Sequence, residues 1–494
     1  MSDLPEGWVQ LKLGDAIKIQ KGKKPIDLGP CSEERTIPYI NICAFETQII
    51  QEYARTQNIP RCNPADTLLV WDGARAGLSG RGVSGYIGST LACLTSDVVN
   101  ENYLFYFINS NYELLNTRTK GVGIPHIDPL VLMGLPLPLP TFSEQTRIVE
   151  KLEELLSDLD AGVAELKAAQ KKLGQYRQSL LKAAVEGMLT AEWRKENKPR
   201  ETGAQLLERI LNERRARWEA RQLARFREQG KTPPKDWEEQ YPRPMPTDTT
   251  NLPALPDGWV WATIDQLSEF ITSGSRGWAD YYAESGATFI RSQNINKDRL
   301  DLSDIAFVNP PGSTEGIRTR VRTHDLLLTI TGANVGKAAW VEADIAEAYV
   351  SQHVALIRPI ETTLANFLHM FLIASAGGRR QLNKKAYGAG KPGLNLQQVG
   401  TVTIPLPSLA EILALMESVT NKLGALTEQA VAIEVALKQS TAQRKNLLKA
   451  AFSGQLVPQD PSDEPASVFL ARIRAERAEN VNKPRRRVNA RSNA

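Results

Sequence analysis

The sequence predicts a mixed α/β protein of the α+β kind. It has two globular domains joined by two long antiparallel coiled-coil helices, with pseudo-two-fold symmetry. Three observations predict this. The chain repeats itself in order, half its length apart. Each repeat ends in a sustained heptad pattern. The segments ahead of the heptads are short apolar runs broken by Gly, Pro and Asn, as strands joined by loops require.

The repeat opens with L-P-E-G-W-V at Leu4 and L-P-D-G-W-V at Leu255, 251 residues apart. Leu137-Pro138-Leu139-Pro140 returns as Ile404-Pro405-Leu406-Pro407, and S-L-L-K-A-A from Ser179 returns as N-L-L-K-A-A from Asn446, both at an offset of 267. Between them D-T-L-L-V from Asp66 matches D-L-L-L-T from Asp325. Gly73 and Gly77 match Gly332 and Gly336, and G-V-G-I-P from Gly121 matches G-A-G-K-P from Gly388. One matching hexamer arises by chance; an ordered series indicates tandem duplication.

Residues 1–142 form the first domain. Apolar runs such as Thr67 to Trp71 read as strands, and Tyr103 to Leu115 reads as a helix. Prolines 136, 138 and 140 then forbid helix until the chain has passed them. Residues 143–190 form the first long helix, opened by S-E-Q-T-R-I with a Ser/Thr cap and an acid in its first turn. Leu152, Leu159, Leu166, Leu173 and Leu180 recur every seven residues, with Leu156 and Val163 between them. Such a seam marks a coiled coil. Roughly 45 helical residues rise about 70 Å.

Residues 191–254 are different material: an Arg-rich helix from Ala204 to Gly230, then prolines 233, 234, 242, 244, 246 and 253, which predict a stiff, extended linker. Residues 255–407 are the second domain. Residues 408–455 are the second long helix, with its seam at Val419, Leu423, Leu426, Ile433 and Leu447. Residues 456–494 are a distal segment and a basic tail expected to be disordered.

A length of 494 residues exceeds what one core supports. No apolar run reaches the roughly 18 residues of a membrane span. MSDLPEGW lacks the basic start and apolar stretch of a signal peptide, so a cytoplasmic location is expected. Cys31, Cys43, Cys62 and Cys93 form no C-x-x-C pair, so reduced, partly buried thiols are expected and a metal site is not. The net charge is +4, but residues 204–231 carry a surplus of four cations and the tail from Val481 a surplus of five, which leaves the rest negative. Nucleic acid would therefore have to be held by local patches, not by a global field.

Motifs for catalysis fail one by one. Asn309-Pro310-Pro311 is followed by Gly312, where an adenine methyltransferase needs a stacking ring. T-G-A-N-V-G-K at Thr331 has three residues between its glycines where a phosphate loop has four, and Ala338 follows its lysine. His126, His324, His353 and His369 show no metal spacing. What remains is basic and amide side chains in glycine-rich loops. In the first domain these are Lys21, Lys23, Lys24, Arg75, Arg81, Arg118, Lys120 and His126. In the second they are Arg276, Arg291, Gln293, Asn294, Lys337, Arg379, Arg380, Lys384, Lys385 and Lys391. Lys and Arg neutralise phosphates, and Arg, Gln and Asn pair with guanine or adenine edges. Their clustering in equivalent loops points to DNA.

Two globular units, each followed by I/L-P-L-P and a helix ending L-L-K-A-A-x-x-G-x-L, resemble the specificity (S) subunit of type I restriction–modification enzymes. L-P-x-G-W, D-x-L-L with its following Gly, T-A-E-W-R-K-E-N after Leu189 and A-S-V-F-L-A-R-I near the C-terminus carry the same resemblance, which covers nearly the whole chain. It implies that each globular unit is a target recognition domain reading one half of a bipartite site in double-stranded DNA. The paired helices then set the unread spacer. It also implies a chain without catalytic residues or cofactor. Two adenine-N6 methyltransferase (M) subunits and restriction/translocase (R) subunits dock on it, and S-adenosylmethionine, ATP and Mg belong to those partners. Trp8 and Trp259 would be packing anchors. The rival readings are a self-contained methyltransferase or nuclease and a protein-binding coiled-coil spacer.

Overall fold

A computed structural model describes residues 4–121, 123–310, 314–388, 390 and 392–482, with side chains at all of these except 279, 314, 315 and 476–482. Lys391, Gly312 and the basic tail lie outside the described residues. The chain divides into two compact units, Met1–Ala168 with Ile433–Ala494, and Ala169–Ala432. Among the described residues no helix is long and apolar enough to cross a membrane.

In the first unit the strand Val9–Lys12 pairs antiparallel with Pro136–Leu139. The prolines that forbid helix here lie at an edge strand. Spaced by two, they place every missing N–H on one side of the strand, which leaves the other side free to pair. A four-stranded sheet follows in the order Lys18–Lys21, Leu91–Thr95, Thr67–Val70, Ser79–Arg81. A five-stranded sheet runs Leu28–Gly29, Tyr53–Ala54, Ile37–Ile40, Gly85–Ile87, Arg61–Cys62. The helix expected over Tyr103 to Leu115 is two, Glu101–Ser110 and Tyr112–Thr117, broken at Asn111.

The second unit repeats the plan. Val260–Thr263 pairs with Thr403–Leu406. One four-stranded sheet runs Ser268–Ser273, Val354–Pro359, Leu326–Thr329, Ala338–Trp340. A second contains the parallel pair Ala287–Ile290 and Ala348–Val350, the counterpart of Ile37–Ile40 and Gly85–Ile87.

The long helices are Phe142–Val185 and Leu409–Phe452, 44 residues each. Within the first unit Ile148, Val149, Leu152 and Leu156 share a core with Leu448 and Ala451. The two helix segments are antiparallel there. Asp160 meets Arg444, while Glu144 and Gly454 both lie against Trp8. Within the second unit Leu181, Ala184 and Val185 share a core with Ile412, Leu415, Met416 and Val419. Of the seam residues, Leu152, Leu180 and Val419 are buried. Leu159, Leu166, Leu173, Leu423, Leu426, Ile433 and Leu447 are half-buried.

The same anchor closes both units. Trp8 Nε1 donates to Glu144 Oε2 at 3.0 Å, and Trp259 Nε1 donates to Glu411 Oε2 at 3.0 Å. Ala466 N donates to Gly7 O, and Gly203 N to Gly258 O, so the distal helix Ala466–Asn482 is the counterpart of Gly203–Glu228. The anchors differ in one respect. Glu411 Oε1 accepts from Thr190 Oγ1 at 2.6 Å and Arg194 at 2.5 Å, whereas buried Glu144 Oε1 has no partner among the described residues. Burial pushes the Glu144 carboxyl up, against the opposing indole bond. A raised pKa favours folding below the unfolded value and loses that contribution as pH rises through the folded value, so at neutral pH the ionised group opposes folding. Glu144→Gln is expected to leave the thermal midpoint unchanged or raise it. Glu411→Gln should cost about 2–3 kcal/mol through its charged bonds. Equal losses in paired melting curves would remove the distinction.

The proline-rich stretch lies along its own unit. Arg214 of the Arg-rich helix is 6% exposed and donates to Ser268 O, Tyr241 Oη and Pro242 O at 2.9–3.0 Å. Trp218 stacks on Trp237 with centroids 5.8 Å apart, and Met245 N donates to Asp265 Oδ2 at 2.8 Å. The stretch expected as a stiff spacer is thus docked.

Candidate nucleic-acid interface

Three loops converge in each unit. In the first, Gly73 N donates to Pro125 O at 2.7 Å and Ile127 N to Trp71 O at 2.9 Å, which ties W-D-G-A-R-A-G to G-V-G-I-P-H. Lys21, at the end of Lys18–Lys21, pairs with Asp72 at 3.2 Å and lies over the Trp71 ring. Q-K-G-K-K-P thereby joins the other two. In the second unit Gly332 N donates to Pro392 O at 3.1 Å and Leu394 N to Ile330 O at 2.8 Å, the same junction. Asn334 Nδ2 reaches Ser292 O, which adds the I-R-S-Q-N-I loop. The entry glycines match as well. A Cβ on Gly22 would stand 2.1 Å from Gly88 O, and one on Gly274 would stand 2.2 Å from Val350 O. Only glycine passes at either point.

The predicted residues divide by what holds them. Lys23, Lys24, Arg118, Arg276, Arg380 and Lys384 are exposed. Lys120 is exposed beside Asp128 at 3.0 Å, and its ammonium holds that carboxyl below the usual range. His126 is half-buried, with backbone bonds to Lys120 in both directions at 2.8 Å. Arg75 is exposed and pairs with Glu46 at 2.5 Å. Lys337 is half-buried in its loop, and Lys385 donates to Thr401 Oγ1 at 3.0 Å. Arg291 and Gln293 both hold Asp304, at 3.2 and 2.8 Å.

Three of these residues are structural. Asn294 is 2% exposed and gives its amide protons to Asp301 O and Asp304 O at 3.0 and 2.8 Å, so none is left for a base edge. Arg81 pairs with Glu153 of the long helix at 2.6 Å and lies 4.9 Å from the Phe105 centroid, which makes it a strut between sheet and helix. Arg379 is clamped on Asp298.

The sequence reading missed Asp298. It sits in a left-handed turn, φ 59°, in the hairpin of Ile295–Asn296 and Arg299–Leu300. Its carboxylate also accepts from Ala338 N at 3.2 Å, and its carbonyl lies 3.0 Å from His369 Nε2. Burial pushes the His369 imidazole down, so the ring is a neutral support. Burial, and then the neighbouring Arg299, also lower Arg177 of the first long helix beside this turn. The sequence signal was N-K-D-R, a turn tetrad between two apolar runs.

The chain is similar to known proteins over most of its length. The family model described as "Type I restriction modification DNA specificity domain" matches residues 5–168 and 257–435. The chain is 26% identical over 397 residues to the EcoBI specificity subunit of Escherichia coli, covering 77% of this chain and 73% of that one. It is 24% identical over 449 residues to the MjaVIII specificity subunit of Methanocaldococcus jannaschii, covering 88% and 91%. A chain solved in work on complex assembly and conformational transition of the type I R-M system shares the fold. Its TM-score is 0.64 at 16% identity, over 92% of this chain and all of that one. With its duplicated units, paired long helices and repeated loop junction, the chain belongs to the type I restriction–modification DNA specificity family.

Proposed function

We propose that each unit reads one half of a bipartite, asymmetric site in double-stranded DNA through its own loop junction, and that the two paired helices set the unread spacer. The chain docks two adenine-N6 methyltransferase subunits, which bring S-adenosylmethionine. It also docks restriction/translocase subunits, which bring ATP and Mg. The observation that carries this reading is the repeated junction itself. Gly73–Pro125 and Gly332–Pro392 are the same backbone device, yet the bridged positions beside them carry unlike residues, Asp72, Lys120 and His126 in one unit and Thr331, Tyr387 and Gly393 in the other. A shared scaffold with divergent side chains suits two readers of unlike half-sites.

The test is co-expression with a partner methyltransferase subunit in a host without adenine methylation, followed by mapping of modified adenines. A split motif with a fixed gap, lost when this chain is omitted, is the expected result. Methylation independent of this chain would overturn it. In the same assay, exchanging residues 1–142 for the equivalent domain of another family member should change one half-site and leave the other and the gap intact.

A further inference from the structure

The first unit holds a side-chain cluster that the DNA reading does not use. Cys62 ends Arg61–Cys62, Cys93 is central in Leu91–Thr95, and Asp66 precedes Thr67–Val70. One ligand atom from each lies within 4.8 Å of the other two. The two residues are 1% and 2% exposed.

The duplication supplies a control. Thr67 pairs with Leu94, and Leu326 pairs with Ile357, so Cys93 corresponds to Leu356 and Thr95 to Arg358. Arg61 pairs with Tyr86, and Arg320 bridges to Tyr349, so Cys62 corresponds to Val321. Asp66 corresponds to Asp325, and each accepts a backbone N–H three residues earlier at 2.7 Å. In the second unit Arg358 neutralises Asp325 with two bonds, 2.8 and 2.7 Å. The first unit keeps the carboxylate but has no such cation. Among the described residues Asp66 forms no ion pair, and two thiols replace the valine and leucine of the duplicate.

We propose that Cys62, Cys93 and Asp66 bind one thiophilic divalent metal ion of the zinc type, which stands where the guanidinium stands in the second unit. Binding releases the two thiol protons to solvent. Two thiolates, one carboxylate and the dication then leave a net charge of −1. Zinc bonds of about 2.3 Å to sulfur and about 2.0 Å to oxygen set such donors roughly 3.5–3.8 Å apart, inside the observed separation. Asn63 O, 3.4 Å from Cys62 Sγ, is a further oxygen beside the cluster. The ion would pin Arg61–Cys62 to Leu91–Thr95, joining the five-stranded sheet of the first unit to the four-stranded one. Spacing alone gave no sign of this, because strand pairing and not a C-x-x-C loop assembles the ligands.

The experiment is titration of the full reduced chain with Co2+ after chelator treatment, read by the thiolate-to-cobalt charge-transfer band and by displacement with Zn2+. Saturation at one ion per chain is expected. The band should vanish in C62V/C93L, which installs the second unit's own residues and so should fold. Asp66→Asn should weaken binding about tenfold or more, as loss of a ligand or its support does. No band in the wild type, a band that survives in C62V/C93L, or a thiol count of two in unreduced protein would overturn the site. The last result would mean a Cys62–Cys93 disulfide.

Discussion

Replacing Arg358 by methionine is expected to destabilise the second unit by about 3–5 kcal/mol, the cost of leaving a buried charge without its partner. Arg358 gives two bonds to Asp325, 2.8 and 2.7 Å, and a third to Arg320 O at 3.0 Å. Asp325 is 1% exposed, and its burial already pushes the carboxyl up despite the guanidinium. Without Arg358 only the backbone N–H and the charge of Arg322 oppose that push. A folded pKa above the unfolded one contributes stability below the unfolded value and loses it as pH rises through the folded value. The deficit of R358M should therefore deepen from acid to neutral pH. Adding Asp325→Asn should recover part of it, since the neutral amide carries no charge to desolvate. Hydrogen exchange of Leu326–Thr329 and Val354–Pro359 reads the second unit alone. A loss under about 1 kcal/mol, or one independent of pH, would show that water reaches Asp325. In the first unit, where Thr95 takes the place of Arg358, Thr95→Ala should stay within about 1 kcal/mol.

Duplication and heptads were legible because both are patterns along the chain. L-P-x-G-W and I/L-P-L-P were recognised as repeated landmarks, and the strand that follows the first pairs with the strand that contains the second, Val9–Lys12 with Pro136–Leu139 and Val260–Thr263 with Thr403–Leu406. Glycine in these loops lets backbone come close to something. What comes close is another loop of the same junction, and no local pattern names that partner. Side-chain roles were less legible for the same reason. Asn294 has the chemistry of an adenine reader, yet Asp301 and Asp304 carbonyls seven and ten residues away consume it. Arg81 looks like a loop cation, but Glu153 is 72 residues away in sequence. The prolines after residue 232 describe local stiffness and not what the stretch lies on. The aromatic signal was present in Trp218, Trp237 and Tyr241, which close around Arg214 and Arg215.

Replacing Lys21, Lys23 and Lys24 together by alanine is expected to weaken DNA binding by the assembled complex, and to do so by flattening its salt dependence. All three are exposed in the entry loop, and Lys21 is held by Asp72 at 3.2 Å, a surface pair that salt screens. Removing one lysine from a phosphate should lower the slope of log K against log salt by about 0.9, so the triple variant should lower it by up to about 3. The weakening should be similar on cognate and unrelated sequences, because phosphate contacts carry no base information. Arg81→Ala is the matched control. Its guanidinium is engaged by Glu153 and the Phe105 ring, so it should lower thermal stability and leave the slope unchanged. An unchanged slope in the lysine variant would move the phosphate path away from this loop, towards Arg118 and Lys120 on the other side of the junction. A reduced slope in Arg81→Ala would mean that the Glu153 pair opens on DNA, and that the packing of sheet against long helix is itself part of binding.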